Sequence, residues 1–147
     1  MVFGNGGTRV DPTGIITYLT PNNTGNVAAL YNQTYYKTVD AKQSYSLDPA
    51  RNFMETRHVA GVAYTDVLVS CLLDFGEPSD QAAFDNATNS EGAYVFDELG
   101  LKSWNGSSTD LRLITHVIFH PVQKSLNRQI QIDYTLRIQT LSNINAV

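Results

Sequence analysis

The chain has 147 residues, the length of one domain, and a globule of that size folds without a disulfide or a metal. Charged residues make up only 16%, under the roughly 25% usual in soluble domains, and Asn, Thr, Ser, Gln and Gly take the balance. A net charge of −4 without a dense basic stretch gives no argument for nucleic acid, and no apolar run approaches the roughly 20 residues that span a bilayer.

The opening Met1-Val2-Phe3-Gly4 has neither a basic nor an apolar leader region, so no signal peptide is expected. The sequons at Asn22, Asn32, Asn86 and Asn105 then read as by-products of an Asn- and Thr-rich chain. Residues 1–26 are rich in turn formers and read as an N-terminal arm with one short strand at 15–19. Gly4-Asn5-Gly6-Gly7 reads as a tight turn needing positive φ. It is not a phosphate loop, since no strand precedes it in a βαβ unit and no Gly-Lys-Ser/Thr follows. A short helix at 26–32 and a strand at 34–40 open the main domain, which runs from 27 to 141.

Residues 55–74 form one long run rich in β-branched side chains. Val67, Val69, Cys71, Leu73 and Phe75 share one face, and the other face is also largely apolar. That composition suits a strand covered on both sides, with the lone Cys71 as a small buried hydrophobe. Pro78-Ser79-Asp80 opens a short helix reaching about Asn86, capped by Ser79. In the last third, Leu111, Leu113, Thr115, Val117 and Phe119 alternate with Arg112, Ile114, His116, Ile118 and His120, and Pro121 stops that strand. Ile130, Ile132, Tyr134, Leu136 and Ile138 then alternate with polar residues, facing a core. The two strands are expected to pair as a long hairpin, and residues 142–147 form a polar C-terminal tail. The fold class is therefore mainly β: an antiparallel β-sandwich with one or two short helices and extended terminal arms.

Catalytic chemistry finds little support. His116 and His120 have the spacing of a helical zinc pair, but on a strand they stand about 13 Å apart. Asp97 and Glu98 are adjacent, so on a strand they point to opposite faces and do not make a glycosidase pair. Cys71 lies mid-strand with no turn to expose its sulfur. No catalytic, cofactor-binding or metal-ligating residue is assigned, and an enzyme is not expected.

Charge is segregated along the chain. Eight acids and no Lys or Arg lie between His58 and Leu101, and five bases against two acids follow from Lys102 onward. Such segments meet across subunits or neutralise each other within one. The interface candidates are Lys102, Arg112, Lys124 and Arg128, with Asp74, Glu77 and Asp80 on the acidic side. Trp104 joins them as an aromatic suited to an interface or, with the tyrosines, to a sugar platform.

Three stretches carry a resemblance. Phe3-Gly4-Asn5-Gly6-Gly7 resembles the opening of phage tail-collar and tail-fibre attachment domains, and Phe96-Asp97-Glu98-Leu99-Gly100-Leu101 is similar to a strand of theirs. Residues 113–124 with the strand 130–138 resemble the closing hairpin of small virion structural proteins of tailed bacteriophages. The resemblance implies a non-enzymatic virion subunit of the neck, collar or tail, made in the host cytoplasm and packed as a homo-oligomer with other virion proteins. It implies no cofactor, nucleic acid or membrane. A capsid decoration protein is the alternative, and a carbohydrate-binding β-sandwich module is a further one.

Overall fold

The computed structural model describes residues 1–22, 28–39, 48–78, 94–104 and 112–139. In chain order the strands are β1 (Val2–Gly4), β2 (Thr8–Val10), β3 (Ile16–Tyr18), β4 (Gln33–Tyr36), β5 (Phe53–His58), β6 (Tyr64–Leu73), β7 (Tyr94–Lys102), β8 (Leu113–Lys124) and β9 (Ile130–Gln139). The chain is mainly β, of the antiparallel β-sandwich class, with strands in three sheets and no helix among the described residues. The helix expected from Ser79 lies outside the described residues. So do Asp80 and the tail 142–147.

The strands belong to two compact units, Met1–Thr38 with Leu73–Ile130, and Val39–Leu72 with Gln131–Val147. In the first, a four-stranded sheet has the order β4-β1-β7-β8, and β2 pairs with β3 as a separate ribbon. β1 is an inner strand, antiparallel to β4 on one edge and to β7 on the other. Its side chains are all buried, Phe3 completely. The expected N-terminal arm is thus, at its start, part of the sheet interior. Phe3 anchors an aromatic cluster: it meets Phe96 edge-on at 5.4 Å and Tyr35 at 5.8 Å, while Tyr94 stacks on Phe96 at 5.5 Å. Burying each such ring contributes about 1.5–3 kcal/mol. That outweighs the weak strand preference of a segment flanked by glycines.

Two other expectations fail in this unit for identifiable reasons. Residues 28–32 are not helical, because the amides of Tyr31 and Asn32 donate to a side chain of β7 rather than to carbonyls one turn back. Pro121 does not stop β8. The β7–β8 register pairs Phe96 with Val122 and Glu98 with Ile118, so Phe119, His120 and Pro121 together stand opposite Asp97. Pro121 sits in a bulge, where no ladder amide is required of it.

In the second unit the expected single run 55–74 is a hairpin. β5 pairs antiparallel with β6 from Phe53–Ser70 to His58–Thr65, across a turn containing Gly61 at φ 88°. From Val69 to Leu73 every residue of β6 is buried, as its two apolar faces predict. β9 joins this sheet beside β6, not β8, and the expected β8–β9 hairpin does not exist. Ser70 bonds Asp133 and Asp66 bonds Arg137, two links that set β6 and β9 antiparallel. Alternation reveals which side chains face inward but not which strand lies alongside. The face itself is as expected: Ile132, Tyr134 and Leu136 are half-buried while Gln131 and Arg137 are exposed. Ile138 is 57% exposed, outside any core.

Candidate functional site

β7 carries Asp97 and Glu98 into the interior of the first unit, and both carboxylates are buried. A buried charge is costly unless its lone pairs are met by donors. Glu98 meets four: Oε1 accepts from the amides of Gly6 (3.1 Å) and Asn32 (2.8 Å), and Oε2 from the Tyr31 amide (3.0 Å) and His116 Nε2 (2.7 Å). Asp97 accepts from the Gly7 amide at 2.9 Å, the Thr8 amide at 2.8 Å and the Thr8 hydroxyl. The Gly-Asn-Gly-Gly turn is therefore an anion cradle, and the anions it holds are the chain's own carboxylates.

The glycines serve close approach and not positive φ, which among the described residues belongs to Gly14 and Gly61. A Cβ on Gly4 would collide with the Asn32 carbonyl and Glu98 Oε1, and one on Gly6 would come within 2.8 Å of Tyr31 Cβ. On Gly7 it would press on Ile118 at 3.0 Å and Asp97 Oδ1 at 3.2 Å.

His116, on β8, completes the cluster. Its Nδ1 accepts the Asn22 amide at 2.8 Å, so Nδ1 carries a lone pair and the ring proton sits on Nε2, which donates to Glu98. The imidazole is enclosed, and its centroid lies 5.5 Å from that of the Tyr31 ring, the two rings tilted by 56°. The second histidine of the expected zinc-like spacing, His120, is exposed and bonds the Pro121 carbonyl. Among the described residues no group of three or more His, Cys, Asp or Glu is arranged to hold a metal ion, and no helix is long and apolar enough to cross a membrane.

The interface candidates fall in different settings. Arg112 and Arg128 are exposed. Lys102 is half-buried and donates to Gln33 Oε1 at 2.5 Å; burial holds its pKa below the ordinary lysine value. Lys124 is 1% exposed, with Nζ donating to the Ser125 carbonyl at 2.9 Å and the Phe75 carbonyl at 3.4 Å. Burial lowers its pKa, against the upward pull of Glu77 and Asp74. It is a structural lysine and not a rim charge. Glu77 pairs with Lys37 at 2.6 Å, and exposed Asp74 accepts from Gln129 Nε2 at 2.6 Å. Trp104 is half-buried and its Nε1 is enclosed, which leaves it a poor open platform. In the second unit Arg137 forks onto Asp66 at 2.8 and 3.0 Å and lies 3.9 Å over the Tyr64 ring. The guanidinium lowers the Asp66 pKa, and Asp66 raises that of Arg137. One acid and one base of the segregated segments, Asp66 and Arg137, thus pair within the second unit.

The clamp of Asp97 and Glu98 on residues 6–8 was not anticipated, although two acids inside the apolar stretch Phe96–Leu101 signal it: buried acids require donors, and a glycine-rich turn offers amides. No protein family, no characterised protein and no solved structure matches the chain.

Proposed function

We propose that this protein is a non-enzymatic structural subunit of a tailed-phage virion, packed as a homo-oligomer in the neck, collar or tail. One observation supports the reading above the rest. Of the stretches that carry the resemblance, residues 3–7, 96–101 and 113–124 lie on or beside three adjacent strands, β1, β7 and β8, whereas the strand 130–138 belongs to another sheet and closes no hairpin with β8. Their shared polar residues also interlock, through Glu98, Gly6 and His116. The part of the resemblance on β1, β7 and β8 thus forms one connected structural element, and the expected closing hairpin is not part of it.

The chemistry of that element agrees. Asp97 and Glu98 are occupied in bracing the first turn, which is architectural work. The β2–β3 ribbon has a braced turn: Asp11 Oδ1 accepts from the Thr13 and Ile15 amides at 2.8 and 2.9 Å, and Val10, Ile15 and Tyr18 are exposed on it. Exposed apolar side chains on a braced ribbon suit burial against another subunit. The test is sedimentation of the purified chain, joined to particle images bearing a labelled copy. A discrete oligomer and label at the neck or tail are expected. A concentration-independent monomer, or label over the head, contradicts the proposal.

A further inference from the structure

We propose that Asn5-Gly6 is a latent deamidation site, which the Glu98 clamp holds unreacted for as long as the first turn stays closed. An asparagine followed by glycine closes the ring of this reaction most readily, because glycine has no side chain to obstruct the approach. The Gly6 nitrogen gives up its proton and attacks Asn5 Cγ. An N–Cγ bond forms, the Cγ–Nδ2 bond breaks with its electron pair on Nδ2, and that nitrogen takes up a proton and leaves as ammonia. Water from solvent then adds to the cyclic imide. It opens the ring at Cγ to give aspartate, or at the main-chain carbonyl to give isoaspartate, in which the chain runs through Cβ and Cγ. Asn5 is exposed, so water reaches it.

Both reacting groups are tied down. The Gly6 N–H donates to Glu98 Oε1 at 3.1 Å, and negative charge developing on that nitrogen would face the carboxylate. Asn5 Oδ1 accepts from Asn32 Nδ2 at 2.5 Å, and the Asn5 amide donates to the Asn32 carbonyl at 3.1 Å. Asn32 is fixed in turn by its own amide on Glu98 Oε1 at 2.8 Å. On either side, Gly4 pairs with Gln33 and Glu98, and Asp97 holds the Gly7 amide. Ring closure turns the Asn5 side chain onto the Gly6 nitrogen and strips that nitrogen of its proton, so it competes with the Asn32 bond and the Glu98 bond together. The rate therefore follows the population of opened turn and not the exposure of Asn5. The reaction is also one-way. Isoaspartate puts an extra carbon into the main chain ahead of the Gly6 nitrogen, while Gly4 and Gly7 stay fixed, so the Gly6 amide no longer meets Glu98. A subunit whose turn has stayed open is thereby marked and barred from closing.

The proposal does not depend on where the protein sits in a particle. It is tested on the full chain, incubated warm at mildly alkaline pH, by peptide mapping with mass spectrometry and enzymatic methylation of isoaspartate. Position 5 should stay asparagine in the folded chain and convert in the same chain held in urea. Glu98→Gln, incubated where circular dichroism shows it folded, should convert at least about tenfold faster, since buried donors left unmet weaken local closure. Asn32→Ala, at an exposed position, removes the side-chain tether and keeps both backbone bonds, so it should fold and still convert faster. In the isoaspartate form the Gly6 amide should exchange with solvent faster than in the parent. Conversion as fast in the folded chain as in urea, an unchanged rate in either folded variant, or an unchanged Gly6 exchange rate after conversion would each overturn the proposal.

Discussion

Glu98 Oε2 and His116 Nε2 lie 2.7 Å apart with both side chains fully enclosed, so a carboxylate of β7 and an imidazole of β8 are joined from inside the sheet. Three backbone amides converge on the same carboxylate. Glu98→Gln keeps the volume but turns an NH₂ group towards those donors. Leaving buried donors unmet is expected to cost about 3 kcal/mol or more, measured as a lower urea midpoint at unchanged slope. A loss below about 1 kcal/mol would show that the carboxylate is not what braces the turn.

Gly4 and Gly14 separate two reasons for a glycine. At Gly4 an added Cβ meets the Asn32 carbonyl and Glu98, whereas at Gly14, with φ 87°, it meets nothing within 4 Å. Gly4→Ala is expected to cost about 1–3 kcal/mol by overpacking. Gly14→Ala costs only the left-handed backbone strain, of about 1 kcal/mol. Thermal melts of the two variants give the comparison, and a larger effect at Gly14 would contradict the packing.

Lys124 and Arg128 sit four residues apart yet should respond differently to charge reversal. Lys124→Glu encloses an acid beside Glu77 and Asp74 and strands two carbonyl acceptors, and is expected to unfold the first unit or cost about 3–5 kcal/mol. Arg128→Glu, at an exposed position, should leave folding within about 0.5 kcal/mol. Circular dichroism melts decide, and equal effects would mean that Lys124 is not the buried group described.

How much of this was legible in the sequence depended on what kind of signal each part leaves. Alternation on β9 identified the inward face correctly, because period two is a property of the strand itself. It was silent on neighbours, so β9 was paired with β8 although Ser70 and Asp66 of β6 hold it. β1 left almost no local signal, since three residues beside glycines become a strand only through two flanking partners. The clamp was missed for a similar reason. Read locally, Asp97 and Glu98 are two adjacent acids on a strand and Gly4–Gly7 is a turn, while their meaning lies in about 90 residues of separation closing onto one site. Lys124 reads as an ordinary loop-end lysine until its burial is seen.

Tyr94 gives the alkaline behaviour. Burial, reinforced by the charges of Glu98 and Asp97, raises its pKa well above the ordinary value of 10, despite the opposing hydrogen bond with Thr34. In a raised acid the folded state keeps its proton after the unfolded chain has lost it. Stability is therefore full below about pH 10 and falls as pH rises from there towards the folded value. Tyr94→Phe should flatten that decline, at a cost of about 1 kcal/mol at neutral pH for the Thr34 partner left unmet. Denaturation at neutral pH and in steps above about pH 10 checks it, and an unchanged alkaline slope would count against the buried phenol.

The central claim is that the chain acts by being packed into a particle. Quantitative mass spectrometry of gradient-purified virions tests it most directly. The account predicts the chain in many copies per particle, at a fixed ratio to the other structural proteins. Its presence in the lysate but absence from purified particles would contradict the account.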